Sequence, residues 1–269
     1  MQPFVKWAGG KRQFLKKIID NTPKNFETYY EPFVGGGAVL FGLEHHPSII
    51  NDINSHLTHA YKIIKDSPND LMNQLDEFDK IPLNDELYKD FRNKYNTHII
   101  EKIYNIETAA LFIFLNKHSF NGLFRVNSKG LFNVPWNKKE SVNSYSKENI
   151  LEISSYLKNV EIMNGDFQDA VTSAKKNDFV FFDSPYAPLK PTSFSSYDKA
   201  GFKIDEHIRL SNLFKELTEK GVYCMATNHN TELIRELYKD FKLEEISVRR
   251  SINSDATKRT GKELIIKNY

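Results

Sequence analysis

Glu31-Pro32-Phe33-Val34-Gly35-Gly36-Gly37 closes a short strand-like run from Thr28 to Phe33 and opens a helical pattern from Ala38 to Glu44, after which a second short run, Ile49-Ile50, ends at Asn51-Asp52. Strand, glycine turn, helix and strand in that order make a β-loop-α-β unit. Glycines at such a turn let a ligand approach the backbone closely, and an acid at the tip of the second strand accepts both hydroxyls of a ribose. Gly35, Gly37 and Asp52 therefore read as a nucleoside-cofactor site. A glycine-rich turn with a capping aspartate is the competing reading of the same residues. A phosphate-binding P-loop fits poorly, because Gly10-Lys11 is followed by Arg12 where Ser or Thr is needed and Val5 stands at the first glycine position.

Working outward, further strand-like runs come late, at Val160 to Met163, Phe179 to Phe182, Val222 to Ala226, Leu243 to Val248 and Leu264 to Lys267, with helical patterns at Glu206 to Lys220 and Glu232 to Phe241 between them. Alternating strands and helices predict an α/β fold, a Rossmann-like and mostly parallel sheet. Between Leu57 and Leu115 the period is helical, and Lys117 to Ser146 is a loop rich in Asn, Gly and Ser. The expected organisation is a core of residues 1–56 and 149–269 interrupted by an insertion at 57–148. The apolar run Val180-Phe181-Phe182 ends in Asp183-Ser184-Pro185-Tyr186. Since the ligand crevice of an open α/β sheet lies outside the carboxyl ends of its strands, this strand is expected to deliver Asp183 and Tyr186 there. An ordinary Asp-Ser-Pro turn is the plainer alternative.

The composition narrows the partner class. The 269 residues are 40% hydrophobic and 27% charged, which fits a globular chain and excludes disordered, collagen-like and disulfide-scaffold classes. The longest apolar run, Ala109 to Leu115, is far short of the roughly 20 residues a spanning helix needs, and no export signal is expected. A single cysteine, Cys224, offers neither an internal disulfide nor a thiol pair for zinc, and a cytoplasmic location is expected. The net charge of +2 is unevenly spread. Residues 1–17 hold five cations and no acid, 116–139 hold five and no acid, and 249–262 hold five against Asp255, so the remainder is acidic. Three basic segments on an acidic body point to a polyanion, with nucleic acid as the leading class.

Six segments together resemble a known family: Phe4 to Arg12, Glu31 to Gly37, Asn51 to Asn54, Phe120 to Arg125, Phe132 to Pro135 and Asp183 to Tyr186. In this order, and over nearly the whole chain, they are similar to Dam-type DNA adenine methyltransferases of the alpha arrangement, especially the GATC enzymes of MboI- and DpnII-like restriction–modification systems. The resemblance implies S-adenosylmethionine as methyl donor and no metal. The positions contacting the donor match Trp7, Lys11, Asp52 and Asp183, and Asp166-Phe167 resembles the pair that holds its adenine. Phe33 and Tyr186 are expected to face the sulfonium through cation–π contact.

The resemblance further implies transfer to the exocyclic amino group of adenine. That nitrogen is a poor nucleophile because its lone pair is delocalised into the ring. The Asp183 carboxylate and the carbonyl of Ser184 would accept its two N–H bonds and localise the lone pair. Pro185 fixes the turn, and Tyr186 would stack on a base flipped out of the duplex. Ser184 departs from the commonest family pattern, which has Pro there; the acceptor is main-chain, and Pro185 still biases residue 184 toward an extended conformation. In the insertion, Phe120 would fill the space left by the flipped base with Asn121 assisting, Leu123 and Pro135 would touch a thymine methyl, and Arg125 and Lys6 would read guanines.

The expected enzyme is thus a site-specific adenine methyltransferase acting on double-stranded DNA, with no membrane and no stable protein partner, and with a cognate restriction endonuclease as an open partner. A methyltransferase acting on RNA or a protein amide shares the cofactor turn and the Asp-Ser-Pro-Tyr motif but has no use for the basic, aromatic insertion. A dehydrogenase would need a proton-relay histidine in a nicotinamide pocket, and none of the eight histidines sits in such a motif. A non-catalytic DNA-binding module would have no use for the Asp183 turn.

Overall fold

The computed structural model describes residues 1–139, 142–189, 202–249 and 260–269. Of the third basic segment, Arg250, Lys258 and Arg259 lie outside them. In chain order the helices are α1 (Leu15–Asp20), α2 (Ala38–Leu43), α3 (Ser55–Asp66), α4 (Pro68–Asp79), α5 (Asp85–Glu101), α6 (Ile106–His118), α7 (Lys147–Leu157), α8 (Ile204–Glu219) and α9 (Glu232–Leu237). The strands are β1 (Tyr29–Glu31), β2 (Ser48–Asp52), β3 (Val160–Asn164), β4 (Phe179–Phe182), β5 (Tyr223–His229), β6 (Lys242–Arg249) and β7 (Thr260–Lys267). The fold is α/β and its strands are mostly parallel, as the alternation of periods predicts.

The chain packs as two units, residues 1–21 with 34–166 and residues 22–33 with 167–269. This division follows packing rather than the expected boundaries of the insertion, because α3 lies against α6 and α7 and also against β2 and β3.

In the first unit β2 and β3 pair in parallel, with Asp52 opposite Asn164. Helix α6 is buried on every side from Thr108 to Asn116 and packs against α3, α4 and α5. A helix apolar all round must be central, and this one carries the uninterrupted apolar run. Asparagines set the helix starts: Asn54 accepts from the N–H groups of His56 and Leu57, Asn84 from Leu87 and Asn105 from Thr108. Two helices of this unit escape the sequence reading. One is α1, whose lysines read only as charge, and the other is α7, started by the Ser146 cap.

In the second unit the strand order is β1-β4-β5-β7-β6, with β1, β4 and β5 parallel and β7 antiparallel to both neighbours. All four residues of β4 are fully buried, which explains its unbroken apolar sequence. Cys224 is likewise buried, in β5. The last helix is shorter than its pattern suggests, since α9 ends at Leu237 and Tyr238 leaves helical geometry.

Candidate active site

Each unit carries its own share of the expected residues. In the first, Val34 donates its N–H to the carbonyl of Asn51 at 2.9 Å, tying the glycine turn to the end of β2. Gly35 (φ 50°) and Gly37 (φ 74°) sit in the left-handed region, so the turn requires residues without a Cβ. A Cβ on Gly35 would lie 2.8 Å from Cδ1 of Trp7, and one on Gly37 would lie 2.5 Å from the Tyr61 hydroxyl. The space these glycines leave is occupied by Trp7 and Tyr61, and the Tyr61 hydroxyl donates to the carbonyl of Gly35 at 3.0 Å.

Asp52 is half-buried beside this turn. Its Oδ2 accepts from the Gly35 N–H at 3.1 Å and its Oδ1 from the Asn54 N–H at 2.9 Å. Burial raises its pKa above the ordinary carboxylate value, and the two backbone donors work against that rise. Each oxygen retains a second lone pair for a further donor. Next to it Ile53 is 77% exposed, an apolar surface that the sequence reading passed over. Lys11 is 5% exposed, with its ammonium 2.6 Å from the Gly9 carbonyl, a cation drawn inside the turn formed by residues 7–11. Asp166 is half-buried at the end of the same unit, just after β3 and Gly165.

In the second unit Phe167 is buried, with its ring 5.2 Å from that of Phe33 and the Arg209 guanidinium 4.3 Å above it. Arg209 is fixed in turn by Gln168 at 3.0 Å and Glu206 at 2.6 Å. At the end of β4, the register that sets Phe182 opposite Ala226 brings the following residue, Asp183, beside Thr227, and the Thr227 hydroxyl donates to Asp183 Oδ1 at 2.9 Å. Ser184 is buried and Pro185 exposed.

Tyr186 donates its hydroxyl to Glu263 at 3.0 Å, and its ring meets that of His229 edge-on at 4.9 Å. Burial, then the neighbouring Asp183 and Glu263 carboxylates, raise the Tyr186 pKa well above its ordinary value, so the phenol stays protonated. The Asn228 side chain accepts from the Ala187 N–H at 2.9 Å, and His229 Nδ1 lies 2.7 Å from the Ala187 carbonyl. A carbonyl only accepts, so Nδ1 carries the proton. Thr227, Asn228, His229 and Glu263 thus hold the motif in shape from β5 and β7. Sequence reading missed all four, because their partners lie about 40 to 80 residues away and nothing in their spacing signals the contact.

The basic, aromatic segment belongs to the first unit. It is a folded element: the Phe120 N–H donates to the Pro135 carbonyl at 2.8 Å, Val126 pairs with Phe132, and the Asn133 N–H donates to the Arg125 carbonyl at 3.1 Å. Phe132 and Val134 are buried beneath it. Phe120, Asn121, Leu123, Arg125 and Pro135 are all exposed, as is Lys6 on the N-terminal arm. Asn133 receives the Arg125 Nε–H at 2.8 Å and orients the guanidinium. Trp7 stacks on Phe124 with centroids 5.4 Å apart, joining the arm to this segment.

The profile of the family described as D12 class N6 adenine-specific DNA methyltransferase matches residues 7–252. The chain is 41% identical to the Type II methyltransferase M1.LlaDCHI of Lactococcus lactis subsp. cremoris, over all of this chain and 96% of that protein. It is 40% identical to the Type II methyltransferase M.MjaIII of Methanocaldococcus jannaschii, over 100% and 99% of the two chains. With the DNA adenine methylase of Escherichia coli the identity is 32%, covering 97% and 93%.

Proposed function

Because the chain belongs to the D12 class of N6 adenine-specific DNA methyltransferases, we propose that it takes its methyl group from S-adenosylmethionine and places it on the exocyclic amino group of adenine in double-stranded GATC, flipping the base out of the duplex. The observation that carries this reading is the Asp183 carboxylate, anchored by Thr227 at the end of a buried strand and followed by the Ser184 carbonyl and the Tyr186 ring.

The donor set in the first unit fits the nucleoside. Asp52 has lone pairs left for the ribose hydroxyls, exposed Ile53 offers a surface for a flat ring, and buried Lys11 attracts a carboxylate. Asp166 and Phe167 are assigned to the adenine, Trp7 and the glycine turn at Gly35 and Gly37 to the methionine side, and Phe33 to the cation. When bound, S-adenosylmethionine supplies an electrophilic methyl group.

The residues of this chain do the rest. Asp183 and the Ser184 carbonyl accept the two N–H bonds of the target amine, so its lone pair is held on the side from which the methyl comes and the positive charge that develops meets a fixed negative partner. Pro185 keeps that carbonyl aimed. Tyr186, neutral and hydrogen-bonded to Glu263, presents its face to the extruded base.

Residues 1–56 with 149–269 are assigned to catalysis and 57–148 to target recognition. In the latter, Phe120 and Asn121 occupy the place of the flipped base, Leu123 and Pro135 meet a thymine methyl, and Arg125 reads one guanine while Lys6 reads the other. The enzyme works on DNA in the cytoplasm, alone or beside a cognate endonuclease. The test is transfer of labelled methyl from S-adenosylmethionine to defined duplexes, with the modified adenines located by sequencing. Fluorescence of 2-aminopurine at the target position reports flipping. Labelling of RNA or protein in place of duplex DNA would favour the alternative methyltransferase, and labelling of DNA outside GATC would refute the site.

A further inference from the structure

Asn116, at the end of α6, is 1% exposed and spends its whole amide group on two segments that lie far apart in sequence. Its Oδ1 accepts the Lys6 N–H at 2.8 Å, and its Nδ2 donates to the Lys6 carbonyl at 2.9 Å and to the Gly122 carbonyl at 3.1 Å. Both backbone groups of Lys6 are thereby fixed, as in a strand ladder, while its side chain stays at the surface. Gly122 is in the left-handed region (φ 68°), and a Cβ there would collide with the Cδ, Cβ and Cγ of Lys6, so the lysine stem runs directly across the glycine. The Asn116 carbonyl accepts from the Ser119 hydroxyl at 3.0 Å, and that hydroxyl also reaches the Leu123 carbonyl at 2.9 Å. One buried amide therefore sets the position of Lys6 relative to the turn that exposes Phe120, Asn121 and Leu123.

We propose that Asn116 is a positioning residue for base discrimination: it clamps the N-terminal arm to the 120–125 turn so that Lys6 addresses one guanine in register with the rest of the reading surface. The proposal rests on the reading of Lys6 as a guanine contact. An amide suits the task because it carries an acceptor and two donors in one plane, matching an N–H and two carbonyls. Ala would take the partner from all three backbone groups, the buried Gly122 carbonyl and the part-buried N–H and carbonyl of Lys6, and Asp would keep the acceptor but lose both donations.

The experiment is single-turnover methylation of three duplexes, GATC itself and two variants in which one or the other guanine is replaced, by wild type, Lys6→Ala, Asn116→Ala, Asn116→Asp and the Lys6→Ala/Asn116→Ala double variant. Expected is a loss of about tenfold in discrimination at the guanine that Lys6 addresses, in either Asn116 variant, with discrimination at the Arg125 guanine changed by less than about twofold. In the Lys6→Ala background the Asn116 substitution should add nothing further at that position.

A merely structural asparagine would slow all three duplexes alike and leave both ratios intact, and that result overturns the proposal. Additive losses in the double variant overturn it too, since Asn116 would then act independently of Lys6. If Lys6→Ala leaves both ratios unchanged, the guanine assignment of Lys6 falls first and the clamp's role in discrimination falls with it. Should Asn116→Ala fail to fold, Asn116→Asp carries the comparison.

Discussion

Thr227 donates its hydroxyl to Asp183 across the β4–β5 register at 2.9 Å, so the carboxylate proposed to face the target amine is aimed by the neighbouring strand. Thr227→Val keeps the shape and removes the donor. Single-turnover methylation should slow by roughly tenfold, the scale of a lost hydrogen bond to a charged group, while Asp183→Ala should lose on the order of 10²–10³ in rate with the fold intact. Rapid-quench rates, with circular dichroism as the folding control, check both. A Thr227→Val enzyme as fast as wild type would mean that Asp183 needs no such aim.

Ser184 is buried, and the role proposed for it belongs to its carbonyl. Ser184→Pro keeps that carbonyl, and Pro185 already favours the extended conformation, so catalysis should be nearly unchanged. The same rapid-quench assay decides: a folded Ser184→Pro as slow as Asp183→Ala would assign the work to the serine hydroxyl or N–H.

Asp52 serves the turn and, on our reading, the ribose. Asp52→Ala should weaken S-adenosylmethionine binding by about 1.5–3 kcal/mol, measured by calorimetry. Because burial raises its pKa, binding should also fade on acidification before an ordinary carboxylate would titrate. Unchanged affinity in the variant would leave Asp52 as a turn cap only.

Arg125→Ala should relax discrimination at one guanine by about 1–3 kcal/mol, whereas Lys138→Ala or Lys139→Ala should weaken binding to all duplexes equally and reduce the salt slope. Asn133→Ala, which frees the guanidinium from its 2.8 Å partner, should reproduce part of the Arg125 effect. Fluorescence anisotropy across a set of single-base variants separates these outcomes. A uniform loss for Arg125→Ala would make it a phosphate contact.

Stability should fall as pH drops from about 6.5 toward 4. Burial lowers the pKa of His56 and of His207 to about 4, so over that window the unfolded chain binds protons the native state refuses, and stability rises with pH. Asp52 works the other way, taking its proton more readily in the fold than in the open chain. Urea midpoints at pH 7.5 and 5 should differ, and His207→Gln should narrow the gap; an unchanged gap would remove His207 from the account.

The strand β4 is legible because a strand buried on both faces must be continuously apolar, and the helical middle is legible because its period repeats over four helices. The glycine turn is legible as a turn but not in its packing, since nothing in Gly35-Gly36-Gly37 announces that Trp7 and Tyr61 fill the space beside it. Thr227, Glu263 and Asn116 stay hidden for a common reason. Each is an ordinary polar residue whose role exists only once distant segments meet, and local pattern carries no trace of that meeting. Even α1 is obscured, because Lys16 and Lys17 present themselves as charge before they present themselves as the outer face of a helix.

The stack of Trp7 on Phe124, with the Asn116 clamp beside it, bears on how sequence preference is inherited. Residues 4–7 and 116–124 are separated by more than a hundred positions yet share one set of contacts. A crossover between them would join an arm from one parent to a turn shaped for another. Chimeras that exchange only the turn should lose selectivity without acquiring the donor's, and a working transplant must carry the amino-terminal residues along.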